Sequence, residues 1–277
     1  MPLLSPRSYL FVPGSRPDRF AKACAAGADA VVIDLEDSVA AADKATARAA
    51  IAAWLTPAQP VFARVNVANS EFFHDDLKLG GKPGIAGVLL PKAERIEDIH
   101  IVAEHFGAAV PLLLQIETAQ GFRNAPAMAG AKCVQRLLFG SIDFQLDLGM
   151  AAEEAELLYF RSQIVLVSRL AGIQSPVDGV TTDINSPERV RADTLRSRRL
   201  GFGGKMCIHP KQVPVVNECF APTAEEESWA KRVVEASAAV HGGATTVDGQ
   251  MVDRPVLVRA EKILEIVAQL KQRVAKQ

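Results

Sequence analysis

The sequence is poor in the features that assign a protein quickly. Its four cysteines, Cys24, Cys133, Cys207 and Cys219, lie far apart and form no Cys-x-x-Cys pair. That spacing argues against a zinc or redox motif and fits a reducing compartment. No apolar run reaches the ~20 residues needed to span a bilayer. The opening Met-Pro-Leu-Leu-Ser-Pro-Arg has neither the n-region nor the h-region of a signal peptide. The expectation is a soluble, cytoplasmic protein. Charge imbalance is missing too. The formal net charge is −1, so no global field favours nucleic acid or an anionic membrane. A local basic cluster at 189–199 reads as a solvated helix face. No Gly-x-Gly-x-x-Gly turn follows the first strand-like run, which weakens a doubly wound dinucleotide-binding sheet.

What is present is an alternation of short apolar runs with longer amphipathic stretches. Strands are expected at 8–12, 30–34, 61–65, 87–91, 112–117, 136–140, 174–178 and 203–208. Helices are expected at 17–26, 43–55, 93–106, 153–171, the longest of these, and at 187–200 and 210–219. Ser186 followed by Pro187 is a good N-cap with proline at the first helical position. Eight βα units in about 220 residues predict an α/β fold, a (β/α)8 barrel over 1–220. The remainder, 221–277, predicts a helix-loop-helix extension that packs on the barrel or on a neighbouring subunit. One helix runs from the Thr223 cap to about Val240, then a glycine-rich, hairpin-like loop follows, then a helix over 256–274.

Acidic residues gather at the expected strand ends. Glu117 closes Pro111-Leu-Leu-Leu-Gln-Ile-Glu117, and Asp143 closes Arg136-Leu-Leu-Phe-Gly-Ser-Ile-Asp143. Asp34, Glu36 and Asp37 close a third run, and Arg64 a fourth. In a parallel barrel all these ends face one mouth. Singly, Glu117 and Asp143 read as caps; together they read as metal ligands. All-oxygen donors favour Mg2+, which keeps several waters, so Glu36 and Asp37 are expected to hold metal-bound water. Arg64 is either a counter-charge to this acidic mouth or a bidentate carboxylate clamp, and the two are compatible. Gly140, Ser141 and Gly121 let backbone amides approach a ligand, or simply make tight turns. Arg16, Arg19 and Lys22, beyond Pro13-Gly14-Ser15, are placed to face a phosphate. His209 remains open as base, ligand contact or helix cap.

At these residues the sequence resembles the citrate lyase beta-subunit (CitE-like) branch of the HpcH/HpaI aldolase family, which includes malyl-CoA and citramalyl-CoA lyases. The matching stretches are Arg7-Ser-Tyr-Leu-Phe-Val-Pro-Gly14, Val32-Ile-Asp-Leu-Glu-Asp-Ser-Val39, Ala63-Arg-Val-Asn66, Leu114-Gln-Ile-Glu-Thr-Ala119, Leu138-Phe-Gly-Ser-Ile-Asp-Phe144 and Gly204-Lys-Met-Cys-Ile-His-Pro-Lys211. The resemblance implies a Mg2+-dependent barrel, with Mn2+ an alternative ion, assembled as a homotrimer or a dimer of trimers. It implies making or breaking a C–C bond between an acyl-CoA thioester and a 2-oxo acid. Glu117 and Asp143 then look like the metal ligands, and Arg64 like the carboxylate clamp. Gly140, Ser141 and Glu117 look like substrate contacts, and Arg19, Lys22, Met206, Cys207, Ile208 and His209 like CoA-facing residues. The segment Gly249-Gln-Met-Val-Asp253 resembles one whose aspartate enters a neighbouring subunit's site, which makes Asp253 the candidate acid. Two departures stand out: Gly140-Ser-Ile-Asp143 lacks a carboxylate usual there, and Phe11 stands where tyrosine is common. Three other readings stay open: a subunit acting on a carrier-bound citryl group, a 2-oxo acid aldolase using no thioester, and a non-catalytic metabolite-binding barrel.

Overall fold

A computed structural model of the protein describes residues 5–151, 155–240 and 243–274. Its strands are β1 (Ser8–Pro13), β2 (Ala30–Asp34), β3 (Val61–Arg64), β4 (Ile85–Leu90), β5 (Leu112–Ile116), β6 (Val134–Phe139), β7 (Val177–Asp178) and β8 (Gly204–Cys207). Each pairs in parallel with the next, and β1 pairs with β8, which closes the barrel. The expected eight-stranded barrel is therefore the fold.

Helices α1 (Phe20–Cys24), α2 (Lys44–Trp54), α3 (Phe73–Asp76), α4 (Ile96–Phe106), α5 (Ala119–Ala129), α6 (Ser141–Leu148), α7 (Leu158–Leu170), α8 (Pro187–Leu200) and α9 (Gln212–Phe220) follow the strands. Helix α8 begins as its sequence predicts, with Ser186 Oγ accepting from the Arg189 N–H. Helix α7 starts later than expected, and Glu153, where it was to begin, lies outside the described residues. Helix α5 lies outside the expected helix ranges and carries Pro126 in its interior. Thr118 caps it by accepting from the Gly121 N–H, and burial of Ala125, Met128 and Ala129 holds it despite Pro126.

Alternation along the strands explains what fills the barrel. Tyr9, Ala30, Val32, Leu89, Leu113, Leu138, Val177 and Met206 form its apolar interior. Arg136 is fully buried, donating to Tyr9 Oη and to the Pro6 and Ser175 carbonyls. Strand β7 is two residues long rather than the five expected at 174–178. Its Asp178 pairs with Arg161 at 3.0 Å and accepts from Ser197, while Lys205 donates to the Gly179 carbonyl at 2.6 Å.

The chain divides into two compact units, Pro6–Glu218 with the barrel, and a second running from Cys219. In the second, α10 (Ala224–Ala239) and α11 (Arg254–Val274) pack with a hairpin of β9 (Thr245–Val247) and β10 (Gln250–Val252). Thr223 and Glu226 form the reciprocal capping box that starts α10. Asp248 and Gly249, both at positive φ, make the two-residue hairpin turn. The first residues of the expected loop, His241 and Gly242, lie outside the described residues. Among the described residues no helix is long and apolar enough to cross a membrane.

Candidate active site

The alternation that fills the barrel also builds its mouth. Residues two apart on a strand share a face, so the inward series Ala30-Val32 continues to Asp34, and Leu113 continues to Gln115 and Glu117. Phe62 leads likewise to Arg64, and Leu138 to Gly140. The polar members of each series lie at the C-terminal strand ends, where they meet in a cavity of about 350 Å3 lined by Phe11, Asp34, Asp37, Arg64, Gln115, Gly140, Ser141, Asp143, Met206 and Ile208.

Arg64 is held there by charge. Its Nε donates to Asp34 Oδ1 at 2.6 Å and its Nη2 to Asp34 Oδ2 at 2.8 Å. Nη1 lies 2.9 Å from Glu36 Oε2, and the guanidinium stacks 5.2 Å from the Phe11 ring. Asp34 thus occupies the Nε–Nη2 edge of Arg64, and through that edge Arg64 is a counter-charge to this acidic mouth. Asp34 is itself fastened by Ser38 and by the Glu36 N–H. Burial alone would raise its pKa, but Arg64 and Ser38 outweigh that and hold it below the ordinary carboxylate value.

Glu117 follows β5 and is 1% exposed. Its Oε1 accepts from the Lys92 backbone N–H at 2.7 Å, and its Oε2 from Gln115 Nε2 at 2.5 Å. Burial first, and then the negative charge of Glu36, push its pKa up to about 8. Glu36 is raised as well, mainly by burial, although Arg64 and Lys92 pull the other way. Gly140 makes room for this carboxylate, since a Cβ at that position would overlap the Glu117 carboxylate and come within 2.6 Å of its Cβ. Asp143 is on the first turn of α6, four residues past the end of β6, rather than on the strand end itself. Ser141 opens the same helix.

Two residues of this mouth were not singled out from sequence. Lys92 brings its ammonium to 2.7 Å from Glu36 Oε1, 3.6 Å from Asp143 Oδ1 and 3.8 Å from Asp37 Oδ1. Gln115 orients Glu117. Its place two residues before Glu117 was the available signal.

A second cavity of about 470 Å3 opens beside the first. Its wall comes from the β1–α1 segment, including Arg16, Arg19 and Lys22, and from Ile208 and His209 after β8. Two expected CoA-facing residues lie elsewhere. Cys207 is fully buried on the outward parity of β8, and burial pushes its thiol up to about 12. Met206 points inward, into the barrel core and the first cavity. His209 accepts from the Lys211 N–H through Nδ1 at 3.2 Å, so it stabilises the turn before α9. In the other unit, Asp253 Oδ1 accepts from the Val256 N–H at 3.3 Å at the start of α11.

The profile of HpcH/HpaI aldolase/citrate lyase matches residues 7–210, the span that carries the whole mouth. The chain belongs to the HpcH/HpaI aldolase/citrate lyase family. A citrate lyase subunit beta-like protein of Deinococcus radiodurans is 39% identical over 274 residues, covering 93% of this chain and 96% of that one. A (3S)-malyl-CoA thioesterase of Cereibacter sphaeroides is 32% identical over 268 residues, covering 93% of each. A solved structure of CitE from Mycobacterium tuberculosis in complex with magnesium, acetoacetate and coenzyme A superposes with a TM-score of 0.84. It is 34% identical and covers 95% of this chain and 98% of that one. The citrate lyase beta subunit of M. tuberculosis complexed with oxaloacetate and magnesium superposes with a TM-score of 0.71 at 32% identity, covering 80% of this chain and all of that one.

The donor set in this family member suits a hard divalent ion. Among the described residues no three His, Cys, Asp or Glu side chains stand ready as a metal cage. Two carboxylates with water and substrate oxygens completing the shell is the arrangement magnesium favours. Burial and the neighbouring Glu36 and Asp143 raise the pKa of Glu117, and a cation held there would relieve that crowding of negative charge.

Proposed function

We propose that this protein is a magnesium-dependent carbon–carbon lyase. It splits, or forms, a 3-hydroxyacyl-CoA-type thioester, giving an acyl-CoA and a 2-oxo acid. The observation that carries the reading is the buried Glu117, neighboured by Glu36 and Asp143 and packed against Gln115 and Gly140, which line a mouth that opens beside a second cavity edged by Arg19 and Lys22. Magnesium held by Glu117 and Asp143 would supply the Lewis-acid charge that steadies an oxyanion on the 2-oxo acid carbon.

The chain's own residues do the rest. Glu36 and Asp37 hold ordered water beside the ligands. Arg64, with one edge committed to Asp34, lends the mouth positive charge and orients an anionic carboxylate through its remaining N–H groups. The first amides of α6, at Ser141 and Ile142, have no intrahelical partner and face a carboxylate well. Arg19 and Lys22 meet the phosphates of a coenzyme A thioester. Asp253 of a neighbouring copy carries the proton to and from the acyl carbon, a role supported by the resemblance of the Gly249–Asp253 segment. The active form is then a homo-oligomer, a trimer or a hexamer.

A thioesterase among the relatives favours one other reading, hydrolysis of the thioester. A panel of hydroxyacyl-CoA esters incubated with Mg2+ separates the two. The lyase releases 2-oxo acid and acyl-CoA in equal amounts with no free thiol. Free coenzyme A with an intact hydroxy acid identifies the thioesterase, and no product from any ester rejects both.

A further inference from the structure

Lys92, which the sequence did not single out, touches four carboxylates of the mouth. It follows β4 and Pro91 and has a left-handed backbone, φ +43°, a conformation that non-glycine residues seldom adopt. That turn does two things at once. It directs the backbone N–H to Glu117 Oε1 at 2.7 Å, and it folds the side chain back over the other carboxylates. The ammonium then lies 2.7 Å from Glu36, 3.6 Å from Asp143 and 3.8 Å from Asp37. One residue therefore contacts both proposed ligands, Glu117 through its backbone and Asp143 through its charge, together with both proposed water-holding carboxylates.

A cation in that place has a cost for any other cation. A single positive charge a few ångströms away opposes a divalent ion strongly even with partial screening. Arg64 does not compete in the same way, because Asp34 holds its fork. Lysine is the suitable residue for an adjustable charge, being compact and on a flexible stem, and the Lys92 side chain is 31% exposed, so it has space to retreat. We propose that Lys92 is a positioning residue that sets the strength of the metal site, its ammonium competing with a divalent ion for Asp143 and Glu36. The inference rests on the reading of Glu117 and Asp143 as metal ligands. It predicts a site that binds and releases magnesium readily instead of retaining it.

The test is a titration of the full-length protein with MgCl2 by calorimetry, independent of turnover. Lys92→Met keeps the apolar stem and removes the charge, and magnesium should bind at least tenfold more tightly than in wild type. Lys92→Arg restores a charge and should return the affinity toward the wild-type value. The backbone bond to Glu117 survives in both variants, so a change reports the ammonium. Lys92→Gln carries the same comparison if Lys92→Met does not fold. Unchanged or weaker magnesium binding by a folded, charge-free variant overturns the inference alone. Failure of both wild-type and charge-free proteins to bind magnesium overturns the metal reading, and this inference with it.

Discussion

Arg64→Lys tests the charge arrangement at the centre of the mouth. Arg64 and Asp34 are nearly closed to water, with side chains 9% and 2% exposed, so screening takes little from their interaction. Removing one partner of such a pair costs about 3–5 kcal/mol. Lysine keeps the charge but surrenders the fork, leaving one of the two bonds to Asp34 and losing the contact with Glu36. A charge-assisted hydrogen bond contributes roughly 1.5–3 kcal/mol, so the expected loss is about 2 kcal/mol. For a barrel of this size that corresponds to a fall in Tm of about 4–8 °C. Thermal denaturation followed by circular dichroism, with chelator present, measures it. Asp34→Asn and the double variant complete a cycle whose coupling term isolates the pair. A Tm within about 2 °C of wild type would refute the argument that this pair secures the mouth. The same protein reports on substrate: if the folded lysine variant binds 2-oxo acid as wild type does, Arg64 is a counter-charge and nothing more.

Other expectations follow from the same geometry. Glu117→Ala and Asp143→Ala should each abolish Mg2+-dependent activity with the fold retained, and unchanged activity at limiting Mg2+ in either would reject the metal assignment. Gly140→Ala should displace the Glu117 carboxylate and weaken magnesium binding more than tenfold by calorimetry, because the added methyl has no room. Glu117, pushed up to about 8, binds its proton more tightly folded than unfolded. Its contribution to stability is complete below the ordinary glutamate value and is lost as pH rises through 8. Wild-type protein in chelator should therefore lose up to about 1.4 kcal/mol per pH unit between pH 5 and 8 relative to Glu117→Gln, and parallel pH–stability curves would count against the shift. Asp253→Asn should preserve assembly and Mg2+ binding while lowering turnover by roughly a hundredfold or more. Mixing it with Glu117→Ala protomers should restore partial activity if the two residues meet across subunits; confirmed subunit exchange without recovery would sink that arrangement.

Much of this molecule is local in origin, and that part was readable from residues alone. Strand-length apolar runs separated by capped amphipathic stretches determined the barrel, because hydrophobic burial and capping act over a few residues. Ser186-Pro187 and Thr223-Ala-Glu-Glu226 marked helix starts at the right places for the same reason. Strand ends also announced Asp34, Arg64 and Glu117 as a set, since closure of a parallel barrel sends all such ends to one mouth. Charge partnership is different in kind. It depends on distances between residues far apart in sequence, and Asp34 binding the fork of Arg64 was visible only once β2 and β3 lay side by side. Lys92 looked like an ordinary lysine after a proline. Its left-handed backbone and its neighbours 56 and 51 positions away in sequence, Glu36 and Asp143, gave it a place in the site. Cys207 went astray by one residue of alternation, the smallest error that turns a side chain from the cavity to the wall. Local periodicity belongs to the chain; which charge neutralises which, and which carboxylate is buried beside others, belongs to the closed barrel.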